Sequence, residues 1–401
     1  MNSDRGALTG FKVVDLTRVL AGPFCTQTLA DHGAEVVKIE PPTGDETRGW
    51  GPPFAEGEAA YFLGINRNKR GIALDLSRAE GQEVLFRLLE GADCLIENFK
   101  AGTLEKWGIG YDAALKARFP RLIHCHITGF GEDGPLGGAP GYDAVAQALS
   151  GMISINGHPQ GQPVRVGMPM ADLGAGLVAL YAILMAALER ERSGQGQSIE
   201  VTLYDSAFSL LHPYNANYLL SGKRPERTGN QHPNIAPYDV YQTKSCAVFI
   251  GIGNDRQFAR FMAELGKPEI AQDSRFASNA DRNLNREALT ALLRARLADE
   301  DGFALSERLL ALGVPCGAVQ EIPEVVAHPH TAHREMVVEK DGYRGTGLPA
   351  KLKRTPGTVR ARPPHFAEHS REVLTELGYS DGEVDALAQA GVVVLPKEAA
   401  K

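Results

Sequence analysis

The length, composition and charge of the chain limit the kinds of protein it can be. A chain of 401 residues is too long for one ordinary hydrophobic core, which predicts one large domain and one smaller one. Its hydrophobic content of 43% and charged content of 23% are typical of globular proteins. A net charge of −7 argues against nucleic acid as a partner, but it does not exclude an anionic small ligand, which responds to the local field of its site.

Cysteine usage and hydropathy indicate a soluble, cytoplasmic protein. The five cysteines are scattered and show no CxxC spacing, as expected for free thiols in a reducing compartment. The opening "MNSDRGALTG" lacks the basic-then-apolar pattern of a signal peptide. The longest apolar run, 173–188, contains two glycines and is shorter than the roughly 20 residues needed to span a bilayer. We therefore expect no membrane partner.

Alternating strand and helix patterns in the first half of the chain predict a doubly wound α/β domain. The β-rich run "FKVVDLT", a helical stretch with Pro23 near its start and "AEVVKIEPP" form a βαβ unit, which implies parallel strands. "GIALDL" is a further strand, after which Ser77 and Glu80 predict a capping box. "ADCLIENF" and "RLIHCHITGF" are two more strands. In the second we expect His124 and His126 to face opposite sides, one of them buried and hydrogen-bonded.

The pattern changes after the strand "SIEVTLYDS". The passage 211–237, rich in Pro, Asn and Gly, is predicted to be a connection without an element of its own. Strand and helix patterns then predict a smaller α+β domain, and the tail is predicted to form two short helices. The predicted divisions are the first part of the large Rossmann-like domain (1–210), a linker (211–237), the small domain (238–326), and a return linker with the rest of the large domain (327–401).

Two patterns that suggest a cofactor or a metal lack the residues that such binding requires. The turn "LTRVLAGP" lacks the three glycines that hold a pyrophosphate, so NAD or FAD is not expected, although Glu40 could imitate the acid that binds the ribose. "HPHTAH" (328–333) matches neither HExxH nor a zinc-finger spacing, and Pro329 disfavours a helix that would present its histidines on one face. We expect no tightly bound cofactor and no metal.

One carboxylate in "VGMPMADLGAGLVALYAILMA" (166–186) is the strongest candidate for catalysis. Between Asp143 and Glu189 the only charged residues are Arg165 and Asp172. Asp is a favoured N-cap, so Asp172 could simply begin a helix. The small residues around it would also let a ligand approach, and free N–H groups at a helix start can stabilise an oxyanion. The residues alone leave both interpretations open.

Several long motifs, which together extend over nearly the whole chain, resemble the class III CoA-transferases, a family that includes formyl-CoA, carnitine and succinyl-CoA-dependent transferases and α-methylacyl-CoA racemase. The resemblance implies a Rossmann-like large domain built from both chain ends. It also implies a smaller domain joined by long linkers and an interlocked homodimer. The motifs are "LTRVLAGPFCTQTLADHGAEVVKIEPPTGDETRGW", "NRNKRGIALDL", "ENFKAGTLEKWGIGY", "ITGFGEDGPLGGAPGYDAVAQALSGM", "MADLGAGLVALYAIL" and "LTELGYSDGEVDALAQAGVV".

The resemblance also implies a reaction and a set of contacts. In the family's transferases the aspartate that aligns with Asp172 attacks an acyl-CoA and holds CoA as an aspartyl thioester until an acceptor carboxylate takes it. A coenzyme A thioester would then be a substrate, not a resident cofactor. Trp50 and Tyr142 match aromatic positions of the acyl pocket. The implied CoA contacts are Arg18, Leu74, Leu76, Asn98, Phe99, Thr103, Lys106 and Trp107.

Departures from the family pattern narrow the expected activity. Formyl-CoA transferases have a glycine run where this chain has "GNQHPNIAPYDVYQT", and a glutamine at the position of Leu20, so formate and oxalate are not expected substrates. The alternative activity is an acyl-CoA racemase or epimerase with Asp172 as the base for the α-proton. The tyrosine of "GYD", Tyr142, disfavours it because the racemases have a histidine there. A CoA-binding protein without catalysis is the third hypothesis.

Two arginines suggest a dicarboxylate substrate, with succinyl-CoA as one candidate donor. Arg165 precedes Asp172 by seven residues, and Arg48 adjoins the segment of Trp50. A guanidinium can hold a distal carboxylate through two parallel hydrogen bonds. The same arginines could instead bind CoA phosphates or lie at a subunit interface, and the sequence leaves these alternatives open.

Overall fold

The computed structural model describes residues 6–396 and divides the chain into two compact units. The first unit contains the chain up to Ser150, Val166–Leu210 and the chain from Pro329. The second unit contains Gly151–Arg165 and Leu211–His328. Each unit has a sheet and a hydrophobic core of its own.

A seven-stranded sheet, dominated by parallel strands, forms the centre of the first unit, so the predicted α/β class is confirmed. The parallel strands lie in the order 3-2-1-4-5-6, and Val393–Val394 pairs antiparallel with the outer edge of β3. Because this order reverses between β1 and β4, the connections leave these two strands in opposite directions and open a crevice at their carboxyl ends. The strands are β1 (Lys12–Asp15), β2 (Glu35–Glu40), β3 (Lys69–Leu74), β4 (Cys94–Glu97), β5 (Ile123–Thr128) and β6 (Ser198–Thr202).

Five helices of the first unit are used below. They are α1 (Ala21–Asp31), α2 (Ala79–Leu89), α3 (Asp143–Leu149), α4 (Met170–Ser193) and α5 (Leu203–Ser209). The two short helices predicted for the tail are Ser370–Glu376 and Asp381–Gln389. Shorter elements of this unit are the helical turns Glu46–Gly49, Ala60–Leu63, Thr103–Lys106, Tyr111–Leu115, Lys116–Arg118 and Pro329–His333, and the strand pairs Phe54–Ala55 with Glu58–Ala59 and Val337–Lys340 with Tyr343–Thr346.

The capping box predicted for the start of α2 is wrong. The residue before the helix is Arg78, and no side chain caps the helix. Ser77 instead donates its hydroxyl to Asp75 Oδ1 at 2.6 Å, and the same oxygen accepts from the backbone N–H of Ser77 at 3.0 Å. A local turn around Asp75 therefore takes the hydroxyl that the capping box would have used.

The second unit contains a three-stranded antiparallel sheet, β7 (Tyr238–Gln242), β8 (Ala247–Gly251) and β9 (Cys316–Ala318), with β8 in the middle. Its apolar core lies between this sheet and α6 (Asp255–Glu264), α7 (Arg286–Leu297) and α8 (Gly302–Ala311). The passage 211–237 contains a helix that we did not predict, Tyr214–Ser221, because the eight residues between Pro213 and Gly222 include no helix breaker. Its shorter helices are Met152–Ile155, Pro268–Gln272, Asn279–Leu284 and Ile322–Ala327.

Buried charges connect the central strands to the segments that follow them. Lys69 Nζ lies 3.2 Å from Asp15 Oδ2, and Lys38 Nζ lies 3.1 Å from Asp45 Oδ2, with all four side chains fully buried. Lys38 also donates to the carbonyl of Thr17 at 2.7 Å. Burial alone would raise the pKa of Asp15, but Lys69 and Lys38 hold it below its usual value. These pairs therefore place the residues just after β1 and β2.

Helix α4 is apolar over most of its 24 residues and is buried on one side only. By length and composition alone it could cross a membrane. The side chains of Ala175, Ala179 and Ile183 are fully buried, and a Cβ at Gly176 would lie 2.6 Å from the carbonyl oxygen of Ala21. One side of α4 therefore packs closely against α1, while the other side exposes leucine, methionine and tyrosine side chains.

The buried pair of Lys38 and Asp45 yields a stability prediction. Lys38→Met should lower the free energy of unfolding by about 3–5 kcal/mol, because it leaves the Asp45 carboxylate buried without its cation. Lys116→Met is the matched control, since Lys116 forms only an exposed, 3.8 Å pair with Asp112. The control should lose less than about 1 kcal/mol. Urea unfolding measures both values, and equal losses would contradict the prediction.

Candidate active site

A cavity of about 260 Å³ opens at the carboxyl ends of the parallel strands, and Asp172 lies in its wall. All of its lining residues belong to the first unit. This is the crevice at which the strand order reverses, where open α/β sheets bind their ligands. The walls come from segments 18–21 after β1, 98–101 after β4, 127–129 at the end of β5 and 138–142 before α3, with Glu46, Gly131, Asp172 and Leu203.

Asp172 is a buried carboxylate in the cavity wall. It is the third residue of α4, whose N-cap is Pro169, so the N-cap interpretation is wrong. Only 8% of its surface is exposed, and within residues 6–396 its carboxylate accepts no hydrogen bond and forms no ion pair. Burial, and secondly the charge of Asp143, raise the pKa of Asp172 to about 7. The group can therefore exchange between carboxylic acid and carboxylate near neutral pH.

The backbone N–H groups at the start of α4 are already occupied. Asp143 Oδ1 accepts hydrogen bonds from the amides of Ala171 at 2.8 Å and of Asp172 at 3.3 Å. The next amide, that of Leu173, donates to the carbonyl of Pro169 at 2.9 Å. These amides are therefore not free to stabilise an oxyanion, contrary to the prediction from the sequence.

Asn98 holds the segment that follows β1. Its Oδ1 accepts from the backbone N–H of Arg18 at 2.9 Å, and its Nδ2 donates to the carbonyl of Arg18 at 2.8 Å. The next residue, Val19, has a φ of 67°, which is a strained conformation for a β-branched side chain. The Arg18 guanidinium lies 5.9 Å from the ring of Phe99 and has no ion pair in the described part of the chain.

The structure gathers some of the predicted CoA contacts and separates others from the cavity. Asn98 and Phe99 line the cavity together with Arg18. Thr103 and Lys106 begin and end the next short helix, and Trp107 directly follows it and packs edge-on against Phe99, with ring centroids 5.3 Å apart. Leu74 and Leu76 are instead part of the hydrophobic core of the first unit.

The two predicted aromatic residues are both exposed. Tyr142 is the residue before α3, with 57% of its surface exposed, and lies in the cavity wall. Trp50 lies outside the wall and contacts Tyr61, with ring centroids 5.2 Å apart. Burial, and then the charge of Asp172, raise the pKa of Tyr61 to about 12, which keeps its phenol protonated at neutral pH.

The two arginines predicted to hold a distal carboxylate have other surroundings. The guanidinium of Arg48 lies 2.6 Å from carboxylate oxygens of both Glu40 and Glu58, and it covers the ring of Phe62 at 3.7 Å. These partners occupy Arg48, so it supports the fold behind the cavity and is not available to a substrate. Arg165 is an exposed residue of the second unit.

The two histidines of β5, His124 and His126, are not arranged as predicted. The prediction that His124 and His126 face opposite sides is wrong, because residues two apart on a strand project from the same face. Both lie near Glu97 Oε1, His124 Nε2 at 3.5 Å and His126 Nε2 at 3.4 Å. Glu97 Oε2 accepts from the backbone N–H of Phe99 at 2.8 Å, so this cluster supports the cavity wall.

Sequence reasoning missed the two residues that hold Asp172 in place, Asp143 and Gln147. A signal was present, since they are the only polar side chains of the run "DAVAQAL" and lie four residues apart, on one face of a helix.

No group of three or more His, Cys, Asp or Glu side chains in residues 6–396 is arranged to hold a metal.

A cavity at the crevice of a doubly wound sheet, with a buried carboxylate in its wall, is the arrangement expected of a ligand site in an α/β protein. A family model for CoA-transferase family III matches residues 8–370, and the chain belongs to this family of class III CoA-transferases. The chain is 40% identical to a succinate–glutarate CoA-transferase of Agrobacterium fabrum, over 94% of this chain and 97% of the relative. It is 38% identical to the human succinyl-CoA:glutarate CoA-transferase, over 96% and 90% of the two chains.

Solved structures agree with this assignment. A crystal structure of a CAIB/BAIF family protein from Brucella suis is 42% identical to this chain and superimposes with a TM-score of 0.83. The match covers 93% of this chain and all of that one. The mixed α/β fold with its large, mainly parallel sheet is therefore the fold of this family.

The raised pKa of Asp172 predicts that this residue destabilises the protein. A folded pKa near 7, above the ordinary value of 3.8, means that the stability contributed by the protonated form is complete below pH 3.8 and is lost as the pH rises through 7. Asp172→Asn removes this loss. Urea unfolding of parent and variant at both pH values measures this effect. The difference in free energy of unfolding, variant minus parent, should be about 1–3 kcal/mol larger at pH 8 than at pH 5. An equal difference at both pH values would contradict this.

Proposed function

We propose that the protein transfers CoA from succinyl-CoA to a second dicarboxylate such as glutarate, with Asp172 as the covalent carrier. The observation that supports this most directly is the buried carboxylate of Asp172, which lies in the wall of a cavity and has no ion pair among residues 6–396. Relatives about 40% identical along nearly their whole length carry the names of succinate and glutarate transferases, which supports the choice of acids.

In the proposed reaction, a carboxylate oxygen of Asp172 attacks the carbonyl carbon of succinyl-CoA. The C–S bond breaks, giving a mixed anhydride and CoA thiolate. The thiolate then attacks the aspartyl carbonyl of the anhydride, which releases succinate and leaves an aspartyl-CoA thioester. The acceptor carboxylate attacks this thioester and expels the thiolate. The thiolate finally attacks the acceptor's carbonyl, which regenerates the Asp172 carboxylate and yields the new acyl-CoA.

The surroundings of Asp172 suit this chemistry. A carboxylate with a pKa near 7 is more basic, and so more nucleophilic, than an ordinary aspartate, and its ionised form is still present at neutral pH. Little of the residue is exposed, which limits the access of water to an anhydride or thioester formed on it. Both effects follow from burial at the start of α4.

Arg18 is the cation that we assign to the distal carboxylate of the acids. It lines the same cavity as Asp172 and has no ion pair within residues 6–396, whereas Arg48 is held by Glu40 and Glu58. The hydrogen bonds of Asn98 fix the backbone of Arg18, so its side chain starts from a defined point of the cavity wall. Asn98, Phe99 and the segment up to Trp107 remain our proposed CoA contacts.

Chemical labelling tests the proposed nucleophile. After incubation with succinyl-CoA, borohydride or hydroxylamine should modify Asp172, as found by mass spectrometry of the digested protein. Because the carboxylate is the attacking form, the rate of labelling should rise with pH through about 7 and level off above it. Asp172→Asn should retain CoA binding but show neither labelling nor transfer to glutarate. Absence of labelling by every member of a broad acyl-CoA panel would contradict the proposal.

The assignment of Arg18 is tested by acceptor specificity. Arg18→Leu should raise the KM for glutarate about tenfold or more, because a charge-assisted hydrogen bond to the distal carboxylate is lost. The KM for valerate, which has the same length and no distal carboxylate, should change less than about threefold. Lys106→Leu is a comparison variant. The exposed ammonium of Lys106 is proposed to contact CoA, so its loss should change the KM for glutarate and the KM for valerate by the same factor. Equal effects of Arg18→Leu on the two acids would refute the assignment.

A further inference from the structure

The start of α4 is held by a side chain of another helix. Pro169 precedes α4 and provides no side-chain cap. Asp143, the first residue of α3, accepts hydrogen bonds from the amides of Ala171 and Asp172 through Oδ1, at 2.8 and 3.3 Å. Because buried amides at a helix start need acceptors, this carboxylate determines where the backbone of Asp172 lies.

Gln147 holds both Asp143 and the segment that leads into α4. It lies one turn further along α3 and is fully buried. Its Nε2 donates to Asp143 Oδ2 at 2.7 Å, and its Oε1 accepts from the backbone N–H of Val166 at 2.9 Å. Asp143 and Gln147 together therefore fix the chain between Val166 and Asp172.

The same contacts bring two carboxylates near each other. Asp143 forms no ion pair in the described part of the chain, and after burial it is the charge that raises the pKa of Asp172. Tyr61 also faces this pair, and its own pKa is raised by burial, Asp172 and Asp143 in that order. The other ionisable groups around the same cavity are Arg18, Glu46, Lys100 and Tyr142.

We propose that Asp143, braced by Gln147, is a positioning residue for the CoA transfer proposed above: it places Asp172 at the cavity, and its charge favours attack by Asp172. The inference rests on that proposed function. In the anhydride and in the aspartyl thioester Asp172 carries no charge, because the negative charge has left with the thiolate or with the released acid. Repulsion between the two carboxylates is therefore present in the free enzyme and relieved in each covalent intermediate.

Two variants separate the charge from the placement. Asp143→Asn keeps an oxygen for the amides of α4 but removes the charge, so the acidic limb of the pH profile of kcat/KM should move to lower pH by about half a unit or more. Its kcat at pH 8 should fall about tenfold, with the KM for succinyl-CoA changed less than about threefold. Gln147→Leu keeps the charge and loses the brace. Its kcat should fall by a similar factor without movement of the acidic limb.

Asp205→Asn is the matched control, because Asp205 is an exposed acid in the first turn of α5 and lies outside the cavity wall. It should leave the pH profile and kcat unchanged. The proposal is overturned if Asp143→Asn folds and keeps the parent profile and kcat. If Asp143→Asn does not fold, Gln147→Leu decides: an unchanged kcat overturns the proposal. Failure of the parent enzyme to label Asp172 is a separate result and counts against the proposed function itself.

Discussion

The carboxylate of Asp15, at the end of the central strand β1, is the group on which the geometry of the first unit depends. It accepts hydrogen bonds from the amide and hydroxyl of Thr17 and from the hydroxyl of Thr26, and it pairs with Lys69 on β3. Because all of these groups are buried, each needs its partner, and the chain has one direction in which to leave β1. That direction brings Arg18 to Asn98 and so forms one wall of the cavity.

Much of the fold could be predicted from the sequence because the signals are local. Each parallel strand is short and rich in apolar or β-branched residues, as expected for strands covered on both faces, and the helices between the strands imply parallel pairing. The predictions were wrong where a local sequence pattern was compatible with a second structure. Ser77 had two possible hydrogen-bond partners, and the nearer one, Asp75, prevailed. The helix Tyr214–Ser221 was hidden by the prolines and glycines on either side of it.

The candidate site was predictable only in part, for a physical reason. Asp172 stands out in the sequence because burying a charged side chain within an apolar run costs free energy. Its relation to Asp143 joins residues 29 positions apart and depends on how α3 and α4 pack, which no local pattern indicates. Arg48 was misassigned for the same reason. Its position near Trp50 in the sequence suggested a ligand contact, but it pairs with two glutamates from other elements, which the sequence pattern does not reveal.

Most of the cavity wall comes from loop segments, whereas Asp172 belongs to α4 and its backbone is held by Asp143 of α3. The residue proposed to react and the segments around the cavity therefore lie in separate parts of the chain. Loops accept substitutions and insertions that packed elements do not. A duplicated gene could therefore acquire a preference for a different acid through changes in segments 18–21, 98–101 or 138–142, with the helices left intact. With this arrangement, few substitutions would be needed for related enzymes to differ in substrate.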